Sequence, residues 1–175
     1  MSRYAYINKN DITNGQGVCV SFWVQGCSNH CKGCHNESIW DYNGGYPFTL
    51  QTIEEILCAL NENGVRRNFS VLGGEPLCVE NISMVAFCVK AVRERYPNII
   101  ISIWTGYYLE QLMIEAQNNK ELMYILSEID YLIDGPYEED KRDITLKMRG
   151  SSNQNIIYMG DKDAREFRYS KIRTN

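Results

Sequence analysis

Between Asn98 and Gly106 the chain reads NIIISIWTG, a nearly unbroken apolar run. A strand wetted on one side alternates apolar and polar residues, whereas a continuous run suits a strand covered on both faces, as in a parallel sheet flanked by helices. The segments around it agree. TLQTIEEILCALNENG (49–64) predicts a helix capped by Thr49 or Thr52, with Ile53, Ile56, Leu57 and Leu60 on one face and Gly64 as its stop. ISMVAFCVKAVRERYP (82–97) predicts a second helix, basic late and closed by Pro97. YLEQLMIEAQNNKELMYILSEI (108–129) is helical in pattern but interrupted near Asn118-Asn119. GVCVSFWV (Gly17 to Val24) reads as the first strand, NFSVLGGEP and DYLIDGPY as later ones, and NQNIIYMG as a last one.

Strands alternating with helices predict an α/β fold of mostly parallel strands with right-handed crossovers. A complete eight-fold barrel takes about 250 residues. At 175 residues the expectation is therefore a partial, open-sided β/α barrel. No repeat or linker divides the chain, so one domain over residues 1–160 is expected, followed by a charged tail, DKDAREFRYSKIRTN, at 161–175. The net charge of −4 offers no bulk attraction to nucleic acid or an anionic membrane. The apolar runs are strand-sized, and MSRYAYINKND lacks the apolar core of a signal peptide. A cytoplasmic location is the expectation.

In parallel α/β folds the chemistry collects at the carboxyl ends of the strands. Each unusual stretch falls there: GCSNHCKGCHN after the first strand, GGEP after the second, WTGY after the third and DGPY after the fourth. The first holds Cys27, Cys31 and Cys34 together with both histidines of the chain, His30 and His35. Structural zinc prefers two separated ligand pairs, and four ligands from so tight a loop are sterically awkward. A redox dithiol would use Cys31 and Cys34 and leave Cys27 surplus. Three thiolates suit three corners of a [4Fe–4S] cubane whose fourth iron stays open to a small molecule. The other cysteines, Cys19, Cys58, Cys78 and Cys88, have no close-spaced partner and are expected to pack as small buried hydrophobes.

The ordered set DITNGQGVCVSFWVQGC, CKGCHNESIW, GGEPL, IWTGY, IDGPY and RGSSNQ resembles the activating proteins of the anaerobic (class III) ribonucleoside-triphosphate reductases, within the radical S-adenosylmethionine superfamily. The resemblance runs from about Tyr4 to Met159. It implies that Cys27, Cys31 and Cys34 ligate the cluster and that S-adenosylmethionine chelates the open iron through its amino and carboxylate groups. The backbone around Gly33 and His35 would lie along the adenine; His35 stands where relatives commonly carry tyrosine, and Gly33 where much of the superfamily is aromatic. Gly73 and Gly74 would let backbone approach the ligand, Glu75 would accept from its amino group, and Pro76 would set the turn. Many relatives resemble GGDP at that place. Ser102 and Thr105 are candidates for the ribose or the methionine carboxylate. Trp104 reads as packing, and Asp134 as a ligand-orienting, cation-binding or turn-capping residue. Arg149 to Gln154 carry the family signature without a derivable role beyond partner docking or loop ordering.

The implied reaction is one-electron reduction of the cluster by a donor such as a flavodoxin or a thiol-redox system. Cleavage of S-adenosylmethionine follows, and then abstraction of a glycine Cα hydrogen near the C-terminus of the reductase large subunit. A homodimer or a mixed complex with the reductase is implied in the same way. An activator of another glycyl-radical enzyme, such as pyruvate formate-lyase, a zinc or redox module, and an enzyme of a small molecule such as a pterin stay open as alternatives.

Overall fold

The computed structural model describes residues 2–160. Seven strands form one sheet: β1 (Arg3–Asp11), β2 (Cys19–Val24), β3 (Tyr46–Pro47), β4 (Asn68–Gly73), β5 (Ile101–Trp104), β6 (Tyr131–Asp134) and β7 (Asn155–Tyr158). The helices are α1 (Leu50–Ala59), α2 (Ile82–Arg95), α3 (Leu109–Ala116) and α4 (Lys120–Glu128). The strand order is β3-β1-β2-β4-β5-β6-β7, open at β3 and β7. The centre β2-β4-β5-β6 is parallel, each neighbour reached through helices, while β1, β3 and β7 add antiparallel borders.

Strand parity divides the sheet into two chemically different faces. Phe22, Val71, Ile103 and Leu132 lie in one register row and are each fully buried in the core that the helices cover. The next row holds Ser21, Ser70 and Ser102, equally buried but on the opposite face. So the run NIIISIW is covered on both sides, as its continuity predicts, although only one cover is a layer of helices. Over the serine face lies the loop after β1. The Asp11 carboxylate accepts from the backbone of Thr13 (2.9 Å) and Asn14 (3.0 Å) and from the Ser21 hydroxyl (2.7 Å). Ser70 donates to the Asn14 carbonyl at 2.6 Å. Small hydroxyls there leave room for the loop and satisfy its buried backbone.

The helices start and stop where local chemistry directs. Thr49 caps α1, and its partner Thr52 bonds back to the cap residue. The four apolar residues of the predicted face are all buried. Truncating Ile56, fully buried, to Ala would cost about 2–5 kcal/mol. The helix ends at Ala59 rather than running to Gly64; a short 3-10 turn, Glu62–Gly64, follows. The buried Arg67 enforces that stop by donating to the carbonyls of Ala59 (3.2 Å), Glu62 (3.1 Å) and Val65 (2.9 Å). The interruption at Asn118-Asn119 is the boundary between α3 and α4, where Asn119 caps α4 through the Leu122 N–H.

Two expectations need correction. The first strand is Arg3–Asp11, in a stretch too polar to show strand alternation, and the run from Gly17 becomes the second strand from Cys19. Cys58 is exposed on α1, unlike the buried Cys19, Cys78 and Cys88, because it falls off the face that meets the core. The Cys78 thiol donates to the Glu75 carbonyl. The charged tail at 161–175 lies outside the described residues. No helix among those described is long and apolar enough to cross a membrane.

Candidate functional site

At the end of β2, Gly26 turns the chain with φ +94°, and a Cβ there would enter the Tyr42 ring. The loop it launches returns on itself: Gly26 N–H reaches the Ile39 carbonyl at 2.8 Å and Cys27 N–H that of Trp40 at 3.0 Å. Within the loop the Cys34 N–H bonds to the Cys31 carbonyl (3.1 Å), and the His30 ring stacks on Trp40 at 4.6 Å. Asn36 ties the loop to the neighbouring strand by donating to the Gly73 carbonyl at 3.3 Å.

Cys27, Cys31 and Cys34 are free thiols, all partly buried. They line one cavity of about 370 Å³ at the carboxyl ends of the parallel strands. Among the described residues no three His, Cys, Asp or Glu side chains are gathered as ligands of a single ion; these three instead stand around a wider space. The Cys34 sulfur takes the Asn36 N–H at 3.3 Å, while backbone N–H groups of Asn29 and His30 face the Cys27 thiol and that of Tyr137 faces Cys31. Burial pushes the Cys27 and Cys31 thiols up, and those N–H groups pull them back toward the thiolate. Three soft thiol donors around one cavity, with backbone N–H groups beside them, suit an iron–sulfur cluster.

Opposite the cysteine loop sits the GGEP turn. The Gly74 N–H bonds to the Val24 carbonyl (2.9 Å) and the Glu75 N–H to that of Gly26 (2.8 Å). A Cβ on Gly74 would lie 2.1 Å from the Gly26 carbonyl oxygen, so the two turns touch backbone to backbone. The Glu75 carboxylate is buried and fully subscribed. Its Oε1 accepts from Leu77 N–H (3.0 Å) and the Thr105 hydroxyl (2.7 Å), its Oε2 from Gly106 N–H (2.7 Å) and the Asn29 amide (2.9 Å). Burial raises its pKa against the pull of those four donors. Through Glu75 the cysteine loop, the second turn and the end of β5 are joined at one group.

The cavity takes in Cys27, Cys31, Cys34, His35, Gly73, Gly74, Glu75 and Thr105. Gly33 and Ser102 are not in its lining: Gly33, at φ +72°, faces the Glu139 side chain, and Ser102 is buried within the sheet's serine row. Asp134 is buried, accepting from the Leu109 N–H at 2.8 Å and the Asn155 amide at 2.8 Å, which makes it the anchor of the α3 start. Trp104 does line the cavity, and its indole N–H holds the Met148 carbonyl at 2.7 Å. Sequence reasoning left out Asn29, Trp23, Tyr137 and Met148, which also line the space. Only alternation on β2 pointed to Trp23; the others come from loops without a pattern. Tyr137 meets His35 ring to ring at 5.8 Å, and the next turn adds Glu139, paired with Lys32 at 3.0 Å.

Residues 13–157 match the family model of the 4Fe-4S single cluster domain. The chain is 36% identical over 156 residues to the anaerobic ribonucleoside-triphosphate reductase-activating protein of Pasteurella multocida (strain Pm70), covering 89% of this chain and 96% of that one. The protein of the same name from Escherichia coli (strain K12) is 36% identical over 150 residues, 85% of this chain and 94% of its own. That of Enterobacteria phage T4 is 33% identical over 154 residues, 87% and 92% respectively. With these matches spanning both the cysteine loop and the turns that surround it, the chain belongs to the family of the anaerobic ribonucleoside-triphosphate reductase-activating proteins.

Proposed function

We propose that Cys27, Cys31 and Cys34 hold a [4Fe–4S] cluster by three corners and that S-adenosylmethionine fills the rest of the cavity against its open iron. The sheet and its helices then form an open-sided barrel of the radical S-adenosylmethionine type within a single domain over residues 1–160. The observation that carries this reading is the placing of three free thiols on the wall of one cavity that the GGEP turn also lines. Held by Cys27, Cys31 and Cys34, the cluster would supply the electron for reductive cleavage of S-adenosylmethionine, the chemistry that activates a glycine of the anaerobic ribonucleoside-triphosphate reductase. This chain thereby acts as the activating enzyme of that reductase, fed by a one-electron donor.

The chain's own residues do the positioning. Gly73 and Gly74 keep side chains out of the space beside the sulfurs, so a ligand can lie against backbone. Glu75 holds the Asn29 amide, and the ligand's ammonium group would replace that amide at Oε2 with a charge-assisted bond. His35 and Tyr137 present two rings at the cavity wall suited to a flat adenine, and Trp23 and Trp104 dry its sheet side. The reductase's glycine segment would enter through the open side and complete the exclusion of water.

Anaerobic reconstitution with iron and sulfide tests the reading. About four irons per chain, and 5′-deoxyadenosine formed on adding dithionite and S-adenosylmethionine, are expected. Both should be lost in Cys27→Ala, Cys31→Ala and Cys34→Ala. Zinc uptake without labile sulfide or deoxyadenosine would overturn it. Radical formation on pyruvate formate-lyase but not on the reductase would move the chain to the other glycyl-radical activators.

A further inference from the structure

The Arg149–Gln154 segment is built around one glutamine. The buried Gln154 side chain accepts from the N–H groups of Gly150 (2.9 Å) and Ser151 (3.2 Å) and donates to the Gly135 carbonyl (3.0 Å). Met148, the residue before Arg149, is held at φ +59° and pinned by the Trp104 indole. Between these fixed points Arg149 faces the cavity. Its Nη1 donates to the Gln154 carbonyl at 2.7 Å, which fixes the guanidinium in place. Its Nε is buried and has no hydrogen-bond partner.

A guanidinium N–H out of water without an acceptor is unfavourable and needs a reason. Asn153 Oδ1 is the other such atom among the described residues, but Asn153 does not line the cavity. Arg149 is also the one Lys or Arg in the lining; the acidic Glu75 there is consumed by its four donors. Asp143 lies near enough to feel the Arg149 charge, yet its carboxylate is taken by the Thr145 N–H (2.8 Å) and hydroxyl (2.6 Å), and it forms no ion pair with Arg149 among the described residues. The cavity therefore offers one held cation with a donor pointing at no group of the chain.

We propose that the Arg149 guanidinium binds the methionine carboxylate of S-adenosylmethionine. This inference rests on the cofactor reading above. It gives the RGSSNQ segment a role: Gln154 shapes the turn that delivers a guanidinium to the ligand. Of the ligand's charged groups the sulfonium and the ammonium repel Arg149, so the carboxylate is the only complement.

The test compares S-adenosylmethionine with its decarboxylated analogue, by equilibrium dialysis against anaerobically reconstituted wild type, Arg149→Lys and Arg149→Gln. Iron and sulfide content serve as the folding control. Arg149→Gln should weaken S-adenosylmethionine binding roughly 10- to 100-fold and change binding of the analogue less than about twofold, with Arg149→Lys between the two. Equal weakening of both ligands would make Arg149 a loop-ordering residue and overturn the proposal. So would unchanged affinity for both, including the case where only radical transfer to the reductase falls, which would assign the guanidinium to the partner's segment. Wild-type protein that assembles no cluster or binds no S-adenosylmethionine would overturn the cofactor reading itself, a result distinct from either.

Discussion

Glu75→Gln replaces one oxygen of a buried carboxylate by an amide nitrogen and leaves its volume unchanged. Four donors converge on that group, two on each oxygen. The Thr105 hydroxyl can rotate and the Asn29 amide can flip, so both can become acceptors. The N–H groups of Leu77 and Gly106 cannot. They sit on opposite oxygens, Leu77 at 3.0 Å from Oε1 and Gly106 at 2.7 Å from Oε2. Either orientation of the glutamine therefore aims its NH₂ at a fixed N–H. One buried donor left unpaired costs about 1–3 kcal/mol, and the remaining bonds weaken with loss of the charge. Relief of the buried charge, whose pKa burial has raised, returns part of this. A net loss of about 1–3 kcal/mol follows. With a urea dependence of about 1–3 kcal/mol per molar, the unfolding midpoint should fall by about 1 M. Tryptophan fluorescence in anaerobic urea titrations measures it. Released from Oε2, the Asn29 end of the cysteine loop should also loosen, so cluster iron should be lost faster to a chelator. A midpoint equal to wild type would refute the four-donor account of Glu75.

Other outcomes follow from the same geometry. Burial pushes the Asp11 carboxyl up, but hydrogen bonds from Asn14, Ser21 and Thr13 outweigh it and bring the pKa down from 3.8 to about 2. A lowered carboxylate pKa stabilises the fold above its unfolded value and loses that stabilisation as pH falls. The stability gap between wild type and Asp11→Ala should therefore narrow by about 1 kcal/mol from pH 6 to pH 3, and equal gaps in urea titrations at the two pH values would contradict it. Gly74→Ala places a Cβ 2.1 Å from the Gly26 carbonyl oxygen, and two backbones cannot both yield; a loss of about 3 kcal/mol in thermal unfolding is expected, with poor cluster retention. In the reconstituted protein, mass spectrometry after brief alkylation should find Cys58 modified, while the buried Cys19, Cys88 and Cys78, the last with its pKa pushed up to about 11 by burial, react only on unfolding.

Periodicity and spacing alone determined much of this protein. The apolar run before Trp104, the helical faces on either side and the Asn stop are local preferences, and they survive in β5, α1, α2 and the break between α3 and α4, whereas α1 ends at Ala59 short of Gly64. The three-cysteine spacing and the glycines of GGEP were legible for the same reason: a ligand loop and a close backbone approach demand particular residue types at short range. What the tertiary structure decided depends on groups distant in sequence. The strand Arg3–Asp11 is polar because its pairing with β2, rather than its own pattern, makes it a strand. The face of the sheet that carries serines could not be assigned until register aligned Ser21, Ser70 and Ser102 and a loop was seen to cover them. Gly33 and Ser102 carry the right residue types near the right motifs, yet one faces Glu139 and the other is buried within the sheet's serine row. The motif marks Glu75 as a ligand acceptor, but only folding shows the four donors from Asn29, Leu77, Thr105 and Gly106 that hold its carboxylate in place. Arg149 had no readable role until its Nε was found buried at the cavity wall. Local conformational preference is written residue by residue, whereas desolvation and hydrogen-bond satisfaction are properties of the assembled neighbourhood.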